Sequence, residues 1–235
     1  MRENGRAFKS YNSELDRKVG PISTPALFLI EGPNDSGKSV VSMQYCYGAL
    51  KDGFSCYFVT TETSFRGLRE SMKNLSWDVT HFINMGQLKI AEMHVKNTMW
   101  SSSDSKRILG LIGSFIEKRN DTELFVIDSM TYLLTNTTPN NILNFFTHLR
   151  NIVDRYEKTV ILTIHTHAIE QDMFLRLRSI SDIHFILSIK EMGDRIVRIL
   201  QVLKQKGAEK SGLMIAFEID QVFGIRVLPF SQAKA

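Results

Sequence analysis

Residues 32–39 read Gly-Pro-Asn-Asp-Ser-Gly-Lys-Ser and match G-x-x-x-x-G-K-[S/T], the pattern of a phosphate-binding P-loop. The two glycines let the backbone bend so that successive N–H groups point at one phosphate chain. The lysine supplies a positive charge to the β- and γ-phosphates, and the final serine is a hard oxygen ligand for Mg²⁺. The motif therefore predicts ATP and Mg²⁺ as ligands, with nucleotide contacts from Gly32, Pro33, Asn34, Asp35, Ser36, Gly37, Lys38, Ser39 and Val40.

The flanks of this octet supply the context that a P-loop needs. Residues 26–30, Ala-Leu-Phe-Leu-Ile, form a short apolar run typical of a buried parallel strand, and residues 40–50 are compatible with a helix. An isolated match could be a solvated turn before an ordinary helix. The strand before the loop and the helix after it favour nucleotide binding instead.

Short apolar strands alternate with helices through most of the chain. Strands are predicted at residues 26–30, 55–60, 88–93, 124–127 and 160–164, helices at 13–18, 40–50, 65–73, 108–118 and 140–156, and a Ser/Thr-rich loop at 98–105. This alternation predicts an α/β fold with a mostly parallel central sheet and helices on both faces. Consecutive strands then follow, at residues 183–190, 196–203, 213–219 and 222–227, and predict antiparallel C-terminal strands that extend the sheet.

Size and composition limit the class of protein. The 235 residues are 43% hydrophobic, and we predict a single domain over residues 1–235 with a flexible lead-in over residues 1–12. No apolar run approaches the ~18 residues of a membrane span and the N-terminus lacks an apolar signal core, which together predict a cytoplasmic protein. The net charge of +4 permits contact with nucleic acid or an anionic membrane but requires neither.

The run Leu-Phe-Val-Ile-Asp at residues 124–128 is an apolar strand that ends in a carboxylate. A P-loop site needs such an aspartate to hold the hydration shell of Mg²⁺. Many buried strands end in Asp, and the alternative role of Asp128 is to cap the following turn. Beside a P-loop, the position predicts that Asp128 and Ser39 together bind the metal.

Hydrolysis of ATP also needs a carboxylate that orients the attacking water. Glu62 follows the strand at residues 55–60, and open α/β sheets place their chemistry at the carboxyl ends of the strands. We therefore predict Glu62 as the catalytic base, acting with Lys38 and Asp128; the alternative is a solvated loop acid. Glu31, immediately before the P-loop, is interpreted as structural, holding loop amides, rather than catalytic.

Two histidines follow the strand at residues 160–164. A polar side chain at this position could sense the γ-phosphate, and His165 is the candidate. Ordinary packing at the end of a strand explains the residue equally well. A metal site has weaker support, because His165 and His167 lie two residues apart with no third ligand in view.

Several lysines fall in a predicted Gly-containing turn between C-terminal strands: Lys204, Lys206 and Lys210. One interpretation is a solvated cluster of charge. The other is a set of cations presented to the nucleotide of a neighbouring subunit, in the manner of an arginine finger. The residues by themselves leave both interpretations open.

In combination, these motifs resemble those of the KaiC-like ATPases of the RecA superfamily. The resemblance rests on residues 14–20, Glu-Leu-Asp-Arg-Lys-Val-Gly, on residues 28–39 and on residues 57–62, Tyr-Phe-Val-Thr-Thr-Glu, and it covers about residues 13–227. The P-loop variant at residues 31–39 is similar to that of the accessory ATPases of the archaellum, the archaeal flagellum.

The resemblance implies a RecA-like P-loop NTPase that binds ATP and forms a homo-oligomer, a hexameric ring. It also implies contact with the archaellum motor ATPase and cytoplasmic ring proteins, with attachment to the membrane only through these partners and no stable nucleic-acid complex. Lys204 and Lys206 match the family's trans-acting basic segment. Glu62 matches the first of two adjacent acids in the family, whereas Thr63 replaces the second, which favours slow hydrolysis.

The leading hypothesis from the sequence is an ATP-binding regulatory and assembly component of a motility motor. A DNA-acting RecA-like ATPase is the first alternative, although residues 166–178 contain no long Gly-rich loop. A KaiC-like signalling protein that phosphorylates itself is the second, because hydroxyl side chains cluster at residues 60–64 and 101–103.

Overall fold

Strands and helices alternate along most of the chain in the computed structural model, which describes residues 6–93, 101–192, 195–207 and 212–229. The strands are β1 (Ala7–Phe8), β2 (Ile22–Ser23), β3 (Leu27–Gly32), β4 (Cys56–Thr60), β5 (Leu88–Glu92), β6 (Leu124–Asp128), β7 (Thr159–His165), β8 (Ile183–Met192), β9 (Arg195–Gln205), β10 (Leu213–Asp220) and β11 (Gly224–Val227). The helices are α1 (Ser13–Val19), α2 (Lys38–Lys51), α3 (Phe65–Asn74), α4 (Thr80–Asn84), α5 (Ser102–Lys118), α6 (Thr131–Thr135), α7 (Pro139–Tyr156) and α8 (Gln171–Ile180). None of the described helices has the length and apolar character needed to cross a bilayer.

Nine strands of the described chain form one sheet, in the order β11-β10-β9-β8-β3-β7-β6-β4-β5. Neighbouring strands from β8 across to β5 are parallel. The pairs β8–β9, β9–β10 and β10–β11 are antiparallel. The predicted α/β fold, with a mostly parallel sheet extended by antiparallel C-terminal strands, is confirmed.

Apolar clusters on the two faces of the sheet explain why helices cover both. Phe28 and Ile30 of β3 pack in a cluster with residues of α2, whereas Leu27 and Leu29 pack in another with residues of α7 and α8. Successive strand residues point to opposite faces, so a central strand covered on both sides must be continuously apolar. The P-loop strand meets this requirement and lies in the middle of the sheet.

The predicted flexible lead-in over residues 1–12 is wrong for its described part, which begins at Arg6. β1 pairs antiparallel with β2, and Phe8 is fully buried. The Phe8 ring meets Tyr45 and Phe54 edge-on, with ring centroids 6.4 and 5.4 Å apart. A two-residue strand is too short to produce a periodic pattern, so it cannot be predicted from the spacing of apolar residues.

The start of α5 also differs from the prediction. The sequence predicts a loop over residues 98–105, whereas the helix already begins at Ser102. Ser101 and Asp104 form a capping box: the Ser101 hydroxyl accepts the Asp104 N–H at 3.2 Å, and the Asp104 carboxylate accepts the Ser101 N–H at 3.1 Å. Serine favours helix N-caps and loops alike, so composition could not separate the two.

The strand order brings the predicted functional segments to one edge of the sheet. Gly32 of β3 lies opposite His165 of β7, and Thr60 of β4 lies opposite Asp128 of β6. The carboxyl ends of parallel strands meet at the same edge, which is where open α/β sheets bind their ligands.

Candidate functional site

The P-loop forms a tight cradle at the carboxyl end of β3. The Pro33 carbonyl accepts hydrogen bonds from the Ser36 hydroxyl at 2.8 Å and from the Lys38 ammonium at 2.7 Å. Gly37 has a φ of 91°, a left-handed conformation that costs glycine nothing. A Cβ atom at Gly32 would lie 2.5 Å from the Ser36 hydroxyl oxygen. The backbone of the cradle therefore requires glycine at both motif positions.

Lys38 is buried at the first residue of α2, where backbone N–H groups are free of helical partners. Burial lowers the pKa of its ammonium, and the carboxylates of Asp128, Glu62 and Asp35 oppose that shift. A neutral carbonyl such as that of Pro33 is a weaker partner for the ammonium than a charged phosphate oxygen. Lys38 is thus positioned to exchange its bond to the loop for one to a phosphate.

Asp128 brings a buried carboxylate to the same place. Its side chain accepts a hydrogen bond from the Thr163 hydroxyl at 2.5 Å and another from the Ser39 hydroxyl. Burial raises the pKa of Asp128, the bonds from Thr163 and Ser39 oppose this shift, and the nearby Glu62 carboxylate adds to it. The predicted metal pair, Ser39 and Asp128, therefore does meet.

The oxygen atoms of Ser39 and Asp128 fit Mg²⁺, which prefers hard oxygen ligands. A cation beside Asp128 would also offset the cost of burying its negative charge. Among the described residues, no group of three or more His, Cys, Asp or Glu side chains could enclose a metal.

Glu62 lies beyond the end of β4, beside Asp128. Its carboxylate accepts a hydrogen bond from the Ser129 hydroxyl at 2.7 Å. Ser129 is fixed in turn by Thr61, whose hydroxyl accepts the Ser129 N–H at 2.9 Å and donates to the Ser129 carbonyl at 3.0 Å. The Glu62 side chain remains 44% exposed, so it is both oriented and open to water, as a base for an attacking water must be.

His165 lies at the end of β7, with Nδ1 4.0 Å from a carboxylate oxygen of Glu62. The Thr131 hydroxyl accepts the backbone N–H of His165 at 2.9 Å and lies 2.7 Å from Nδ1, to which it can donate. Burial lowers the pKa of His165, and the Lys38 charge lowers it further. A neutral ring with its proton on Nε2 is a suitable donor to a phosphate oxygen.

Four described residues that contact the site were not predicted: Ser129, Thr131, Thr163 and Arg198. The first three carry hydroxyls near the ends of strands, a signal that the sequence offers but that many loops share. Arg198 lies within β9 and donates from Nε to the Asp35 carbonyl of the P-loop at 2.9 Å. No local pattern marks it, because β9 meets the P-loop only through the tertiary fold.

The predicted trans-acting lysines lie away from the P-loop of their own chain. Lys204 is in β9 rather than in the predicted turn, and it lies opposite His184 of β8, which lies opposite Leu29 of β3. Leu29 precedes Gly32 by ~10 Å along the strand, at 3.3 Å per residue. Lys204 therefore lies nearer the amino end of β3 than the P-loop does.

Lys206 follows the end of β9, with a side chain that is 74% exposed and an ammonium 3.6 Å from the Asp182 carboxylate. Lys210 lies outside the described residues. A cation this exposed is accessible to a second subunit as well as to solvent.

Comparison with known proteins places this chain in a family. The family model of the ATPase KaiC matches residues 8–232. The chain belongs to the KaiC family of ATPases. Membership implies nucleotide binding and confirms the resemblance drawn from the P-loop and the strands around it.

Two relatives are FlaH proteins, described as archaeal flagellar ATP-binding proteins. That of Sulfolobus acidocaldarius is 34% identical to this KaiC-family chain over 224 residues, covering 95% of this chain and 97% of the relative. That of Methanocaldococcus jannaschii is 21% identical over 91% of each chain.

Solved structures show the same fold. The crystal structure of the flagellar accessory protein FlaH from Methanocaldococcus jannaschii superposes with a TM-score of 0.79 at 20% identity, covering 95% of this chain and 98% of that one. A KaiC-like protein from Pyrococcus horikoshii superposes with a TM-score of 0.75 at 23% identity, covering 96% and 100%. The KaiC-family scaffold is thus retained while most side chains differ.

Lys38→Ala is expected to weaken ATP binding at least about 30-fold, the equivalent of about 2 kcal/mol for removing one partner of a buried charged pair. Isothermal titration calorimetry with ATP and Mg²⁺ measures this. Lys51→Ala, at the other end of α2, removes an exposed charge from the same helix and should bind like wild type. Wild-type affinity in the Lys38 variant would contradict the assignment of the phosphate site.

Proposed function

We propose that this protein binds ATP with Mg²⁺ and acts as a regulatory and assembly component of the archaellum motor. The observation that carries the proposal is the convergence of the P-loop, Asp128 and Glu62 at one edge of the sheet. It occurs in a chain that is 34% identical, over 95% of its length, to an archaeal flagellar ATP-binding protein.

In this proposal, each charged group of the site has one role. The backbone N–H groups at the start of α2 and the Lys38 ammonium hold the phosphates. Ser39 and Asp128 hold Mg²⁺, which neutralises charge on the phosphates when it is bound. His165, on the neighbouring strand, donates to the terminal phosphate and so distinguishes ATP from ADP.

Hydrolysis is proposed to be slow. Glu62 is the base, oriented by Ser129, and it acts without a second carboxylate because Thr63 occupies the next position. Slow turnover suits a switch, in which ATP shifts an equilibrium between two states by the difference in its affinity for them.

The equilibrium proposed for this switch is assembly. The site opens at the edge of the sheet, where another copy of the chain can cover it, and Lys206 is exposed at the opposite end of the sheet. We propose a homo-oligomeric, hexameric ring in which Lys204 and Lys206 reach the nucleotide of the next subunit. The proposed partners are the archaellum motor ATPase and cytoplasmic ring proteins, which would bring the ring to the inner face of the membrane.

The two alternative functions receive less support from the geometry. Residues 171–180 form a helix, which leaves little room after β7 for the loops of a DNA-acting relative. For self-phosphorylation, Thr60 and Thr61 are poor acceptors. Their hydroxyls are buried and donate to the carbonyls of Thr63 at 3.1 Å and Ser129 at 3.0 Å.

Glu62→Gln should retain ATP affinity while lowering the rate of hydrolysis ~10²–10⁴-fold, the usual cost of losing a positioned base. Calorimetry measures the affinity and release of phosphate measures the turnover. Glu170→Gln, an exposed acid at the start of α8, serves as the control. Equal turnover in the Glu62 variant and wild type would show that another group orients the water. Glu31 is a poor substitute, being buried and bonded to His184.

Replacing Lys204 and Lys206 together by alanine should leave the ATP affinity of the monomer nearly unchanged and weaken assembly in ATP and Mg²⁺. The reason is that both lysines lie away from their own P-loop. Light scattering over a concentration series measures the assembly. The double variant Lys73→Ala/Lys118→Ala removes two exposed charges elsewhere and should assemble like wild type. ATP-dependent assembly that survives loss of both C-terminal lysines would assign them to a solvated cluster.

A further inference from the structure

A series of bonded polar side chains, buried at Glu31 and His184, leads from the P-loop strand to the last turn of α8. Glu31 and His184 are 3% and 0% exposed. Nε2 of His184 lies 2.8 Å from a carboxylate oxygen of Glu31, and Arg178 donates from Nε to Nδ1 of His184 at 3.3 Å. The described partner of Glu31 is therefore an imidazole of β8, and not the loop amides that the sequence suggested.

The direction of the hydrogen bonds along this series is fixed. A guanidinium can only donate, so Nδ1 of His184 accepts from Arg178 and the ring proton lies on Nε2, from which it is donated to Glu31. A buried carboxylate or imidazole that loses its partner pays the full cost of desolvation. The positions of the three side chains are therefore interdependent.

This series of side chains ends beside Lys204. In the register of the sheet, His184 lies between Leu29 of β3 and Lys204 of β9, so the three side chains share one face, which α8 covers. Glu31 lies two residues beyond Leu29 and therefore points to the same face. The Lys204 ammonium donates to the carbonyls of Arg178 and Ser179, both at 3.1 Å. These carbonyls lie at the negative end of α8, where a cation is favoured. The last turn of α8 thus sets where the Lys204 ammonium lies.

Two segments of the nucleotide site converge on this turn by different routes. The P-loop strand reaches it through Glu31, His184 and Arg178. The His165–His167 segment is connected to α8 by the polypeptide backbone, because α8 begins only four residues later, at Gln171. Both routes give a displacement at the nucleotide site a path to the last turn of α8.

We propose that Glu31, His184 and Arg178 are positioning residues that couple the nucleotide state of the P-loop to the position of Lys204. The inference rests on the proposed function, since it names the route by which ATP acts on the contact between subunits. In one arrangement Lys204 is held by the carbonyls of its own α8. In the other, α8 has shifted with the P-loop strand and Lys204 is free to reach the next subunit.

Arg178→Met in the full chain tests the relay, because it removes the outer, half-buried link and leaves the buried Glu31–His184 pair in place. Arg176→Met is the control, removing the same charge from an exposed position of the same helix. Calorimetry gives the ATP affinity, and light scattering gives assembly constants in ATP and in ADP, both with Mg²⁺.

In Arg178→Met, ATP affinity should stay within about twofold of wild type, while the ratio of the ATP to the ADP assembly constant falls at least about fivefold, the lower range of allosteric coupling. Arg178→Lys, which keeps a donor, should restore part of the ratio. In a Lys204→Ala background, Arg178→Met should not change the ratio of the ATP to the ADP assembly constant any further. A wild-type ratio in Arg178→Met would overturn the relay.

Amide hydrogen exchange gives a readout that does not depend on assembly. In wild type, ATP with Mg²⁺ should change the protection of residues 171–180, and Arg178→Met should remove that change. No ATP-induced change in wild type would overturn the relay. If wild type binds ATP but never assembles, the assembly function fails, and the exchange measurement alone decides the relay.

Discussion

Burial of opposite charges at the carboxyl edge of the sheet is the constraint on which the rest of the structure depends. Lys38, Asp128 and Glu31 are all nearly inaccessible to solvent. An ionised group can be buried only if neighbouring groups satisfy it. The partners of the two carboxylates come from separate parallel strands, with Thr163 of β7 bonded to Asp128 and His184 of β8 bonded to Glu31.

This requirement fixes the register of the central strands. A shift of one residue in a strand turns every side chain to the opposite face. Such a shift in β7 would take Thr163 from Asp128, and such a shift in β8 would take His184 from Glu31. The apolar residues of β3 fill cores on both faces of the sheet. Replacing one of them by another apolar residue of similar volume would cost less than replacing one of the buried charged residues.

The sequence could reveal the parts of the site that lie within consecutive residues. The P-loop and the strand ending at Asp128 are local patterns whose chemistry is legible without a structure. The alternation of strands and helices was sufficient for the fold class for the same reason. The lead-in strand at Phe8 was missed because two residues carry no period. Helix α8 was missed because residues 166–178 were considered only as a possible DNA-binding loop.

The relay and the P-loop contact of Arg198 could not be predicted. Glu31 and His184 lie 153 residues apart, and Asp35 and Arg198 lie 163 apart, so only strand pairing brings them together. A similar scaffold persists in the Methanocaldococcus jannaschii structure at 20% identity, with a TM-score of 0.79. We therefore expect this protein to differ from its relatives more in such long-range polar contacts than in the path of its backbone.

The central claim is that Asp128 is a buried charge whose partner is the Mg²⁺ of bound ATP. Calorimetric ATP affinities with Mg²⁺ and with EDTA, for wild type and Asp128→Asn, test it most directly. Asparagine keeps the shape and can still accept the bond from Thr163 but loses the charge. The account predicts that Mg²⁺ tightens binding at least about tenfold in wild type and hardly at all in Asp128→Asn. An equal effect of Mg²⁺ on both proteins would contradict it.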